Sequence, residues 1–148
     1  IIGVKDSSGD FSAFTRRLLR SQRESPGQVL WLEGEDTQDA GALLLGASGL
    51  VSGLSNILPE IFVALYQAAR SADTSKVRRL QNAINVLADV VRSTGGGVAA
   101  IKAAVELQGI GSRRMSSPSF SLPAKWDSVV SDAVSRASVL FAQMQAEA

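Results

Sequence analysis

The sequence predicts an α/β chain, with parallel β-α-β units in its first part and helices alone in the rest. Two observations carry that class. Up to about residue 55, short apolar runs alternate with a helical period at the spacing of right-handed crossovers. From Pro59 onward, the apolar repeats all have a helical period. A third observation bounds the size: 148 residues, 45% of them hydrophobic, suffice for the core of one domain.

The run Ile1-Ile2-Gly3-Val4-Lys5 reads as a strand leading into the polar turn Asp6-Ser7-Ser8-Gly9-Asp10. Alternation puts Ile1, Gly3 and Lys5 on one face, Ile2 and Val4 on the other. Asp10 is placed to cap a helix with Phe11, Phe14 and Leu18 on one side. Its other side carries Arg16, Arg20 and Arg23, and with so few aromatics between them this is a solvated face. Pro26-Gly27 ends the helix. Residues 29–33 read as a short buried strand, 37–45 as a helix closed by Gly46, and 50–52 as a third strand.

The helical part opens at Pro59, suited to a first turn, with Ile61, Leu65, Ala68 and Ala69 as its core stripe. Val77, Leu80, Ile84, Leu87 and Val91 form the next stripe, ended by Ser93-Thr94-Gly95-Gly96-Gly97. Val98, Ile101 and Val105 mark a short helix, and 109–123 an irregular connection. The last helix carries Trp126, Val130, Ala133, Ala137, Leu140 and Met144 on one face. A boundary near residues 71–75 divides the chain into expected units 1–73 and 74–148.

Missing residue types exclude whole chemistries. There is no histidine and no cysteine, so Ser-His and Cys-His nucleophiles, the usual zinc sets and disulfides all fall away. A net charge of +1 gives no electrostatic reason to expect nucleic acid or an anionic membrane as partner. The apolar stretch 43–58 is broken by serine, asparagine and glycine and is unsuited to crossing a bilayer. No basic leader precedes the first strand, and a cytoplasmic protein is expected. Gly95-Gly96-Gly97 lacks the Gly-Lys-Ser/Thr ending of a phosphate loop and reads as a joint between helices.

What remains is an amine. Lys5 ends an apolar strand, and in α/β barrels chemistry collects at the carboxyl ends of strands. Apolar walls favour an amine's neutral form, which attacks a ketone to give a Schiff base. The plainer alternative is a strand-end lysine reaching to water. After the second strand, Gly34-Glu35-Asp36-Thr37 would project over the same rim, although Asp36 reads equally well as an N-cap. Ser52 and Ser55 have no activating base in view and read as polar packing.

Ile2-Gly3-Val4-Lys5-Asp6-Ser7-Ser8-Gly9-Asp10 resembles the Schiff-base strand of the dihydrodipicolinate synthase / N-acetylneuraminate lyase family. Leu32-Glu33-Gly34-Glu35-Asp36 resembles the end of that family's seventh strand. The run 45–56, rich in glycine, resembles its eighth strand and exit, and Ala99-Ala100-Ile101-Lys102-Ala103-Ala104 with Leu107 and Gly109 resembles its C-terminal helices. The resemblance implies strands six to eight of a (β/α)8 TIM barrel followed by a C-terminal helical region. It implies that Lys5 forms an imine with pyruvate or another 2-oxo acid, without metal or dissociable cofactor, in a lyase or synthase. Gly34 would lie against the oxo acid, while Asp36 and Thr37 would contact the distal part of larger substrates. Glu35 would help distinguish substrates. The Val51 carbonyl would face the pyruvyl carboxylate region, and Gly49, Val51 and Gly53 would alternate inward. The family's carboxylate-binding threonine pair and proton-relaying tyrosine would belong to the first five strands, so the chain reads as the C-terminal half of an enzyme that is a homo-oligomer when full length. The alternative is a non-catalytic truncated remnant, or a structural or regulatory subunit of an intact homologue.

Overall fold

Three of the helices start where a side chain or a proline deals with the free amides of a first turn. Asp10 accepts from the Ala13 amide at 2.8 Å and opens α1, Phe11–Glu24. Asp73 accepts from the Lys76 amide at 2.9 Å and opens α4, Thr74–Ser93. Pro59, with no amide hydrogen to satisfy, opens α3, Pro59–Arg70. The computed structural model describes residues 1–146; the last two residues of the expected helical unit lie outside the described residues.

Strands β1 (Gly3–Asp6), β2 (Leu30–Glu33) and β3 (Gly49–Leu50) form one parallel sheet in that order. Helix α1 joins β1 to β2. A 3-10 turn, Asp36–Gln38, and helix α2, Asp39–Leu44, join β2 to β3. The register aligns Lys5 with Leu32 and Leu32 with Gly49, so these three lie in one row across the sheet. Val4, Trp31 and Leu50 point to the other side. There Trp31 meets Phe14 edge-on, at 6.1 Å between ring centroids, above Leu18, Ala42 and Ala47.

The helical part continues as α5, Val98–Leu107, and α6, Asp127–Ala146. One buried cluster runs from Leu43 on α2 through Ile61, Leu65, Leu80, Ile84 and Leu87 to Met144 on α6. It crosses the 71–73 turn between α3 and α4 without a break. The 109–123 connection is pinned by Arg113, whose guanidinium pairs with Glu106 and, at 2.7 Å, with Asp127. Among the described residues, no helix is long and apolar enough to cross a membrane.

Packing settles two details. On α5 the buried face is Ala99, Ala100, Ala103 and Ala104, while Val98 is exposed and Ile101 and Val105 line a cleft with Gly53, Asn56 and Ile110. Small side chains let α5 sit close to its neighbours, with Ile101 against the edge of the main cluster. The third strand ends at Leu50 rather than residue 52. Gly53 has helical backbone angles (φ −68°, ψ −42°) and starts a 3-10 turn, Leu54–Asn56, so the inward alternation of Gly49, Val51 and Gly53 stops before Gly53.

Candidate functional site

The carboxyl ends of the three strands share one rim. Lys5 reaches it from β1, exposed, on the sheet face that no helix covers. Its amine makes no hydrogen bond or ion pair among the described residues. Its row across the sheet holds Leu32 and Gly49. Next to Lys5, the end of β1 is fixed by its own turn. Hydrogen bonds from Ser8, helped by Arg17, hold the Asp6 carboxyl below the usual range.

Gly34 is where the first two strand ends meet. A methyl group there would collide with Lys5 Cε and Ser7 Oγ and lie 2.9 Å from the Asp6 carbonyl oxygen. Only glycine lets the lysine stem cross the β2 exit. Glu33, buried beneath, accepts from the Gly34 and Glu35 amides, both at 2.9 Å, through one oxygen. Burial raises its carboxyl above the usual range, with those two amides working against the rise.

The 34–37 loop is tied down from below. Asp36 accepts from the Leu54 amide at 3.1 Å, and its own carbonyl accepts from Gln81 Nε2 at 3.0 Å. Gln81 Oε1 in turn takes the Ala40 amide at 2.8 Å. Asp36 is therefore a strap between two strand exits rather than the N-cap of the 3-10 turn, whose cap position is Glu35. A methyl on Gly53 would lie 3.8 Å from Asp36 Oδ2 and 3.1 Å from Ile101 Cδ1, so Gly53 sits against this strap and α5. Val51 continues the ladder past β3 by donating to the Glu33 carbonyl at 2.8 Å, with its side chain about half exposed. Above the strap, Thr37 Oγ1 donates to Glu35 Oε1 at 3.0 Å.

Sequence reasoning missed Asp39. It is wholly buried at the start of α2, and Ser52 Oγ donates to its Oδ2 at 2.6 Å, while Oδ1 has no partner. Ser52 thus does have a carboxyl beside it. Burial pushes that carboxyl up to about 8, against the pull of the Ser52 hydrogen bond, with Asp36 and Glu33 adding repulsion. Near neutral pH the proton spares the fold an unpaired buried charge. Such a group neutralises Ser52 as a nucleophile rather than activating it, because a protonated acid takes no proton. The only local signal was an aspartate in an otherwise apolar helix turn, Asp39-Ala40-Gly41-Ala42-Leu43-Leu44.

A family model described as "Dihydrodipicolinate synthetase family" matches residues 1–137. The chain belongs to the dihydrodipicolinate synthetase family. It is 32% identical over 112 residues to the 4-hydroxy-tetrahydrodipicolinate synthase of Methanopyrus kandleri, a match covering 76% of this chain and 36% of that protein. It is 31% identical over 115 residues to a probable 5-dehydro-4-deoxyglucarate dehydratase of Streptomyces avermitilis, covering 74% of this chain and 37% of the relative. Among solved structures, dihydrodipicolinate synthase from Bacteroides thetaiotaomicron superposes with a TM-score of 0.82 at 29% identity, over 91% of this chain and 46% of that one. The α/β fold with its helical C-terminal region is thus that of the family's TIM-barrel members, and the chain spans between a third and a half of the relatives' length.

Proposed function

We propose that this chain supplies strands six to eight and the helical end of a (β/α)8 lyase or synthase acting on pyruvate or a related 2-oxo acid, with Lys5 as the imine-forming residue. The observation that carries this reading is Lys5 itself: an unpaired amine at the carboxyl end of β1, on the uncovered sheet face, with its stem crossing Gly34. In its neutral form Nζ attacks the C2 carbonyl, the carbonyl oxygen leaves as water, and a protonated imine replaces it. That cation accepts electron density from C3, so a bond at or next to C3 can be made or broken.

The remaining strands belong on the open face. Among the described residues, the outer edges of β1 and β3 have no partner strand, and Leu30 and Val51 stand half exposed beside Lys5's row. On this reading the groups that hold the substrate carboxylate and move protons come from the completing strands, and the 148-residue chain alone is inactive. The 34–37 loop governs which substrate is taken.

The test is borohydride trapping with pyruvate in the completed barrel. A pyruvyl mass is expected on the peptide containing Lys5 and is lost in Lys5→Arg, since a guanidinium stays charged and is no nucleophile. Label on Lys76, Lys102 or Lys125 with Lys5 free overturns the assignment.

A further inference from the structure

Helix α4 reaches across from the helical part to the rim at one side chain. Arg92, 60% exposed, donates from Nη2 to Thr37 Oγ1 at 3.2 Å and lies 3.5 Å from Glu35 Oε1. Thr37 itself donates to the same Glu35 oxygen, so the three side chains close a triangle above the 34–37 loop. Asp89 lies farther off, 3.9 Å from Nη1. The loop's other attachments run to Glu33, which accepts the Gly34 and Glu35 amides, to Leu54 and Ser52 from Asp36, and to Gln81 at the Asp36 carbonyl. Arg92 is the cation that helix α4 brings to this loop.

Position gives this cation a use. Gly34 is packed against the Lys5 stem, and Thr37 follows it by three residues, at most about 11 Å between their Cα atoms, so the arginine's partner lies on the same short loop that the lysine stem crosses. A guanidinium offers a planar fork that matches a carboxylate in a bidentate fit, and Glu35 already shows a carboxylate seated against it. As an ion pair on an exposed surface, the Arg92–Glu35 contact adds little to stability and yields readily to a competing anion.

Resting on the Schiff-base reading above, we infer that Arg92 is a specificity-determining residue that binds a second carboxylate at the far end of the 2-oxo acid, with Glu35 as the intramolecular anion it displaces. The substrate class is therefore a 2-oxo dicarboxylate rather than a 2-oxo acid with a neutral tail.

Two probes of equal length separate the cases in the completed barrel: 2-oxoadipate, which has a second carboxylate at its far end, and 2-oxohexanoate, which does not. Borohydride trapping on Lys5 should half-saturate at about tenfold lower 2-oxoadipate, the step expected of one charge-assisted pair. Arg92→Gln should bring that ratio to about one. Arg92→Lys should keep part of it, and Glu35→Gln should raise it by freeing the guanidinium. A ratio near one in the unmodified protein overturns the proposal. So does an Arg92→Gln variant that weakens both probes equally and keeps the ratio, which marks Arg92 as a structural tie for the loop. Failure of pyruvate as well as both probes to label Lys5 overturns the Schiff-base reading itself, a different result from labelling without preference.

Discussion

The sheet and the helical region treat the same residue type in opposite ways. Leu65, Leu80 and Leu87 are enclosed in the cluster that ties α3, α4 and α6 together. Leu30 and Val51, on the sheet, are 51% and 47% exposed. The helices present stripes that neighbouring helices cover, so this region closes on itself. The sheet is covered on one side only, where α1 packs Phe14 and Leu18 beneath Trp31, and its other side carries Lys5. The region that closes on itself and the region that carries the unpaired Lys5 are therefore different, and the second is the one left open.

Closing the open face should have the largest effect. Adding a separately expressed polypeptide that bears the first five strands should take turnover of a 2-oxo acid substrate from undetectable to measurable. It should also remove the binding of a hydrophobic dye by the isolated chain. Full turnover by the 148-residue chain alone would show that the open face needs no partner.

Within the closed region, Leu80→Ala should cost about 2–5 kcal/mol in denaturant unfolding, because its site is wholly enclosed and refills poorly. Asp39, which ties α2 to the β3 exit through Ser52, should give an effect that depends on pH. Its folded value of about 8 lies above the ordinary 3.8, so the native state binds the extra proton. Its contribution is fully present below the ordinary carboxylate range and is lost as pH rises toward and through 8, by no more than about 1.4 kcal/mol per pH unit. Glu33 and Asp36 are shifted the same way. Asp39→Asn should flatten, without abolishing, the fall in stability measured between pH 5 and 8; an unchanged slope would place the charge on Asp39 in the folded state. The smallest effect belongs to the open face, where Leu30→Ala should stay within about 0.5 kcal/mol in the isolated chain. A loss as large as that of Leu80→Ala would mean that the face is already covered in solution.

Much of this was legible in one dimension. The Asp10 cap, the strands around Lys5 and Trp31, the core stripes of α3 and α4, and the glycine at the β2 exit all follow from rules that act over a few residues. Bulk alone does not give burial. On α5, Ala99, Ala100, Ala103 and Ala104 hold the buried face while Val98 is exposed, because the distance to neighbouring helices selects the side that can come close. The reading of Ser52 as polar packing stands, but its partner Asp39 is 13 residues away and shows no periodic signal of its own.

The sequence by itself determined the order and type of the elements and an amine at the tip of the first strand, since caps, periods and turn residues act locally, and its motifs carried the resemblance to the family. Tertiary structure alone decided that Lys5 crosses Gly34, that Asp39 is buried against Ser52, and that Arg92 closes on Thr37 from 55 residues away. Those contacts depend on how finished helices and strands pack, and packing sets the burial, the distance and hence the charge state of groups that no local pattern brings together.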